Sequence, residues 1–144
     1  MKISKQQIEE IADNLDRGMR CFYNLKTGEI KTLLNLETWI DVDEEVWQED
    51  STEIDENRDD YFEFKGFDAY EFFQIMADFA ESIDDIVMHN KLIDALNKTK
   101  PFQRFKREIY NSDYYRRQWI DFKIMYYIQE VEKQIDIYNN DLNK

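Results

Sequence analysis

The run Cys21-Phe22-Tyr23, followed by Lys26-Thr27-Gly28-Glu29 and then by Ile30-Lys31-Thr32-Leu33-Leu34, decides the fold class. Two β-prone runs joined by a short polar link with one glycine read as a β-hairpin. Gly28 is placed to supply the positive φ that a residue with a Cβ adopts only at a cost. Upstream, Ser4 followed three residues later by Gln7 reads as a capping box. Ile8, Ile11, Ala12, Leu15 and Met19 then recur at helical spacing, so a first helix is expected over 5–17, with Gly18 at its left-handed stop.

Downstream of the hairpin the composition changes abruptly. Residues 37–60 hold twelve acids against one base, Arg58, a local net of −11 in a chain whose total is −13. Trp39, Ile40, Val42, Val46, Trp47 and Ile54 interrupt the acids, which reads as a partly ordered connection with one irregular helix around 44–53. Residues 61–64 look like a third strand. Asp68 with Glu71 forms a second capping box, led by Phe67 as a hydrophobic staple. Phe72, Phe73, Met76, Ala77, Phe79 and Ala80 follow on a strongly apolar helix, and a third helix from about Asp84 carries Ile86, His89, Leu92, Ile93 and Leu96. Pro101 then restarts the chain, since proline suits the first helical position and disfavours helix in the residue before it. On that fourth helix Phe102, Phe105 and Ile109 share one face, and Lys100, Arg104 and Arg107 the opposite one. A last helix, capped near Ser112 or Asp113, carries one stripe of Tyr115, Trp119, Phe122 and Tyr126 and another of Ile120, Ile124, Ile128, Val131 and Ile135.

The expected architecture is α+β, a small three-stranded antiparallel sheet with an N-terminal helix packed on a C-terminal layer of about four helices. All 144 residues are expected to form a single domain, with a helix-and-sheet half over 1–67, a helical half over 68–138 and a frayed tail over 139–144. Helix should exceed half of the residues and strand should stay below about a fifth.

Composition removes several chemistries. Ordinary usage of about 7% Gly and 5% Pro would give roughly 17 such residues in this length, and only Gly18, Gly28, Gly66 and Pro101 are present. The glycines are too far apart for a dinucleotide or Walker loop, in which residues without Cβ let backbone N–H groups approach phosphate. One histidine and one cysteine cannot complete a four-ligand Cys/His site, an H-E-x-x-H motif or an intrachain disulfide. A reducing cytoplasm is the expected compartment, there is no apolar signal-peptide core near the start, and no apolar run approaches the ~20 residues that cross a bilayer.

The order of features resembles a known family. The residues that carry the likeness are the N-terminal helix, the aromatic strand entering Thr27-Gly28-Glu29, the acidic stretch ending at Tyr61, then Leu92, Ala95-Leu96, Pro101-Phe102, Phe105-Lys106 and Trp119. Over residues 8–122 the chain is similar to the bacterial uncharacterised protein family 0158. The resemblance implies a cytoplasmic bacterial protein of unassigned activity, and it brings no catalytic residue with it.

Candidate chemistry is weighed against its plainer explanation. Asp85 and His89, four apart on a helix, could hold half of a metal site, but no motif supplies the other half, so His89 reads as a partly buried or capping histidine. Asp84 and Asp85 point about 100° apart on a helix and cannot converge on one substrate atom. Residues 98–123 hold eight bases and three acids. Lys100, Arg104 and Arg107 there are the candidate anion-binding residues, against the alternative of a solvated helix face. Phe102, Phe105 and Trp119 sit at core spacing, which removes them as stacking platforms for a nucleic acid, and a chain at −13 is repelled by DNA at long range. Interleaved acids and tryptophans are what a surface needs to meet a basic protein, with the ring as anchor and carboxylates as rim. Trp39, Asp43, Glu44, Glu45, Trp47 and Glu49 are therefore the candidate partner-binding residues, against the equally weighted alternative that the charge serves solubility alone. The favoured function is a non-enzymatic protein-binding or regulatory module with a basic protein partner. The alternative is a nucleic-acid-associated protein using the basic helix face, with an enzyme as third reading. No cofactor, metal or membrane contact is expected.

Overall fold

The computed structural model describes residues 1–34 and 51–142. About 68% of those are helical, and the architecture is α+β, as the hairpin and the helical periods require. The chain divides into two compact units, one of residues 1–66 with 127–144 and the other of residues 67–126.

In the first unit, helix α1 (Lys5–Asp16) begins where Ser4 Oγ accepts from Gln7 N at 3.1 Å while Gln7 Oε1 accepts from Ser4 N at 3.1 Å. That exchange satisfies two backbone donors that a helix start otherwise leaves open. Ile11, Ala12 and Leu15 form its buried face. Gly18, at φ 82°, turns the chain into strand β1 (Met19–Asn24), which pairs antiparallel with β2 (Ile30–Leu34) from Met19↔Leu34 to Tyr23↔Ile30. In the link, Asn24 Oδ1 accepts from Lys26 N and Thr27 N, and Gly28, at φ 76°, donates its N–H to Asn24 O at 2.8 Å. Strand β3 (Tyr61–Phe64) then pairs with the free edge of β1, giving the order β2-β1-β3 with β1 central.

Alternation along these strands gives the sheet two different faces. One carries Cys21, Tyr23, Phe62 and Phe64. It is tied to the N-terminal region by Cys21 Sγ, 3.8 Å from Ile11 O, and by Tyr23 Oη, which donates to Lys2 O at 3.3 Å. Phe62 on this face meets the ring of Tyr138 at 5.3 Å between centroids. The other carries Phe22 and Leu33, which cluster with Ile54 and Tyr61. Ile54 lies on a helical stretch over 51–56. The helix expected over 44–53 otherwise lies outside the described residues, as do Trp39, Asp43, Glu44, Glu45, Trp47 and Glu49.

The second unit is helical: α2 (Ala69–Ser82), α3 (Ile86–Leu96), α4 (Pro101–Tyr110) and the first half of α5 (Asp113–Leu142). The Asp68–Glu71 capping box opens α2, Asp85 accepts from Val87 N and Met88 N to open α3, and Pro101 opens α4. Its core is Ile75, Met76, Phe79, Ala80, Ile83, Leu92, Leu96, Phe105, Ile109 and Trp119. Phe79, Phe105 and Trp119 meet edge to face, with centroids 5.0–6.3 Å apart, a geometry in which the positive ring edge meets the negative face.

Helix α5 changes partners along its length. Trp119 belongs to the second unit, whereas Tyr127, Val131 and Ile135 are buried in the first. Of the expected isoleucine stripe, Ile120 is exposed. The helix runs to Leu142, and Asn139 is bonded to Met1 through both its amide oxygen and its amide nitrogen.

Candidate functional site

Helix α4 separates its residues as their spacing requires. Phe105 and Ile109 are buried, while Lys100, Lys106 and Arg107 are exposed and Arg104 is half-buried. Phe102 departs from the expected shared face: it is 39% exposed and touches Phe72 only at 6.0 Å between centroids. At the second helical position it has no preceding turn to cover it. Lys100 caps the helix in a left-handed conformation, φ 53°, which costs a residue with a Cβ about 1 kcal/mol or more.

The expected anion-binding trio is brought together only in part. Arg104 and Arg107 line a groove of about 60 Å³ with Lys91, Asp94, Ala95 and Lys98 of α3 and its C-terminal turn, and with Glu108. Lys100 is not among its lining residues. Arg104 Nε donates to Thr99 O at 2.7 Å, which fixes the guanidinium plane, and Lys98 Nζ sits 2.7 Å from Asp94 Oδ2. Sequence reasoning missed Lys91. The signal was present, because Lys91, Asp94, Ala95 and Lys98 follow the i, i+3, i+4, i+7 spacing of one helix face. Tyr110 was missed too: it is exposed, with Lys106 Nζ 5.4 Å and Arg116 Cζ 5.9 Å from its ring centroid.

The first unit has a second charged constellation, on the sheet face that carries Phe22. Glu63 lies opposite Phe22 in the register, and its side chain is only 8% exposed. Arg20 grips it with two bonds, Nε to Oε2 at 3.0 Å and Nη2 to Oε1 at 3.1 Å, and Arg58 and Lys65 reach Oε1 at 3.3 and 3.1 Å. Both guanidinium groups also lie over the Phe22 ring, at 5.1 and 5.5 Å from its centroid. Burial alone would raise the Glu63 pKa, but bonds from Arg20 and Lys65 and their charges outweigh it and hold it below 4.5. A carboxyl depressed in the folded state stabilises the fold above its unfolded pKa, and that contribution is lost as pH falls through the folded value. Glu63→Gln should therefore cost about 1–2 kcal/mol at neutral pH, the scale of a hydrogen bond to a charged group discounted for three cations that can turn to water. The gap between variant and wild type should close on acidification below pH 4.5, which denaturant midpoints across pH 3–7 will read. A gap that persists unchanged to pH 3 would assign the loss to packing.

The described part of the acidic stretch lies along this same unit. Glu53 is bonded by Lys31 and by Tyr61 Oη, which together lower its pKa, and Lys26 pairs with Asp60 at 3.1 Å. Glu53, Asp55, Glu56 and Asp59 are exposed.

The remaining titratable candidates have structural duties. The Asp85 carboxylate is used as the α3 cap, and His89 Nδ1 lies 2.7 Å from Ala80 O. A carbonyl only accepts, so Nδ1 carries the proton and closes the last turn of α2. Cys21 is fully buried, and that burial, with smaller contributions from Glu10 and Glu63, pushes its thiol up to about 12. Such a thiol is a packing group with little thiolate at neutral pH. Among the described residues no three His, Cys, Asp or Glu side chains are grouped to hold a metal ion, and no helix is long and apolar enough to cross a membrane.

With that geometry in place, the match to a family covers nearly the whole chain: a family model described as "Uncharacterised protein family (UPF0158)" matches residues 1–139. The chain belongs to this family. The UPF0158 match takes in all of the second unit and most of the first, and it extends past residue 122 into the half of α5 that packs with the sheet. No curated protein and no solved structure matches the chain.

Proposed function

We propose that this UPF0158 protein is a non-enzymatic cytoplasmic binding module that captures a basic protein partner through its acidic, tryptophan-containing segment 37–60. The observation that supports this reading is the build of residues 51–60. Ile54 is buried against Phe22, Leu33 and Tyr61, while Glu53, Asp55, Glu56 and Asp59 around it stay exposed. One apolar anchor thus holds a run of carboxylates at the surface, where they attract cations at long range without the penalty of being buried. Within the same segment, Trp39 and Trp47 supply the large rings on which binding energy concentrates.

The test compares two fourfold charge reversals of identical net charge. One changes Asp43, Glu44, Glu45 and Glu49 to lysine; the other changes Glu9, Glu10, Glu132 and Asp136, four acids outside the segment. Binding to a fluorescent Lys- and Arg-rich peptide should fall about tenfold or more in the first, with residual binding less salt-sensitive, and change little in the second. Trp47→Ala should weaken binding with its thermal midpoint within a few degrees of wild type. Equal loss in the two reversals would reduce the effect to net charge, and unfolding of the segment variants would place these acids in the fold.

A further inference from the structure

We propose that the groove between α3 and α4 is a binding site for a phosphate-class oxyanion, held by Arg104, Arg107, Lys91 and Lys98. This site is independent of segment 37–60. The first argument is charge. The chain carries 32 acids and only 19 bases, so cations left uncompensated are unexpected in it. Yet four cations line this groove against Asp94 and Glu108, and among the described residues no carboxylate forms an ion pair with Lys91, Arg104 or Arg107. Asp94 is engaged by Lys98 at 2.7 Å, which lessens its repulsion of an incoming anion.

The second argument is preorganisation. Two helices packed on a common core fix Lys91, Arg104 and Arg107, Lys98 sits in the turn that follows α3, and Arg104 is held at Nε by the Thr99 carbonyl, which leaves its terminal N–H groups to form a fork. A fork of this kind matches the paired oxygens of a phosphate and loses little rotamer freedom on binding. The third argument is size. The groove, about 60 Å³ and half open to solvent, has room for one tetrahedral oxyanion with any attached group outside it. Four cations against two acids leave two positive charges, which suits a dianion better than a single carboxylate. The ligand is therefore either free phosphate or a phosphate group whose remaining atoms stay outside the groove.

The experiment is a titration of the full chain, followed by the backbone and arginine side-chain resonances in ¹⁵N NMR at fixed ionic strength. Inorganic phosphate should shift the Arg104 and Arg107 signals saturably, and acetate should not. Arg104→Gln/Arg107→Gln should weaken phosphate about tenfold or more. Lys91→Gln, on an exposed helix position, should act in the same direction by a smaller factor. A ten-nucleotide single-stranded DNA is the second arm. If it saturates where inorganic phosphate does not, the groove follows a monoanionic phosphodiester backbone and the proposal of a site for a phosphate dianion is overturned. Acetate saturating like phosphate, binding retained in the variants, or no saturable shift with any probe would overturn the proposal.

Discussion

Replacing Phe105 with alanine should cost about 3–5 kcal/mol, the range for emptying a buried aromatic site. The side chain is 1% exposed and meets both Phe79 and Trp119 edge to face. Truncation removes the transfer free energy of the ring and two aromatic contacts, and leaves a cavity that Ile109 and Leu92 cannot fill without moving their helices. Phe102→Ala is the matched control. Its ring is 39% exposed and lies 6.0 Å from that of Phe72 between centroids, so the same truncation should cost about 1–2 kcal/mol. Urea denaturation of both variants, followed by near-UV circular dichroism, gives the comparison. A loss below about 1 kcal/mol at Phe105 would mean that this face of α4 is not core. The variant also bears on the oxyanion groove. Arg104 and Arg107 ride on the helix that Phe105 pins, so its loss should loosen phosphate binding without touching a single cation.

What was legible in the sequence follows the range over which each feature is determined. The Ser4–Gln7 and Asp68–Glu71 capping boxes, the Gly18 and Gly28 turns and the Pro101 restart are set within a few residues, and each appears where its residues place it. That Tyr61–Phe64 is a strand could be read, but that it joins β1 and leaves β2 at an edge could not, because four residues carry too little alternation to choose between two edges. Helix α5 shows the same limit from the other side. Its helical propensity is continuous, so nothing local marks the place where it passes from one compact unit to the other. Only the contacts reveal that Trp119 and Tyr127 are buried in different compact units. The groove was half legible for a related reason. Arg104 and Arg107 follow from the α4 period, but Lys91 becomes a neighbour only once α3 and α4 pack. Tyr110 belongs to neither the Phe102, Phe105, Ile109 face nor the basic one, and only its exposure beside Lys106 and Arg116 singles it out.

Ile54→Ala should be the most damaging small change in the acidic stretch, at about 2–5 kcal/mol for truncating a fully buried isoleucine. Carboxylates at the density of residues 37–60 are too costly to bury, so the stretch is expected to add little to the core, and Glu53, Asp55, Glu56 and Asp59 are indeed exposed. Ile54 corrects it. At 1% exposed, it closes the sheet face formed by Phe22, Leu33 and Tyr61. The same side of the sheet carries Arg20, Arg58 and Glu63, with both guanidinium groups over Phe22. Removing the isoleucine admits water beside those ion pairs and weakens them, since charged contacts lose strength as their surroundings become more polar. Stability and capture should therefore fall together in Ile54→Ala, whereas the four charge reversals at Asp43, Glu44, Glu45 and Glu49 should lower capture alone. Ile54→Val separates the two contributions: it keeps most of the anchor, should cost about 0.5–1.5 kcal/mol, and should bind the basic peptide like the wild type. If Ile54→Ala binds that peptide normally while its melting midpoint drops, the anchor serves the sheet only, and the acidic stretch recognises its partner without being held.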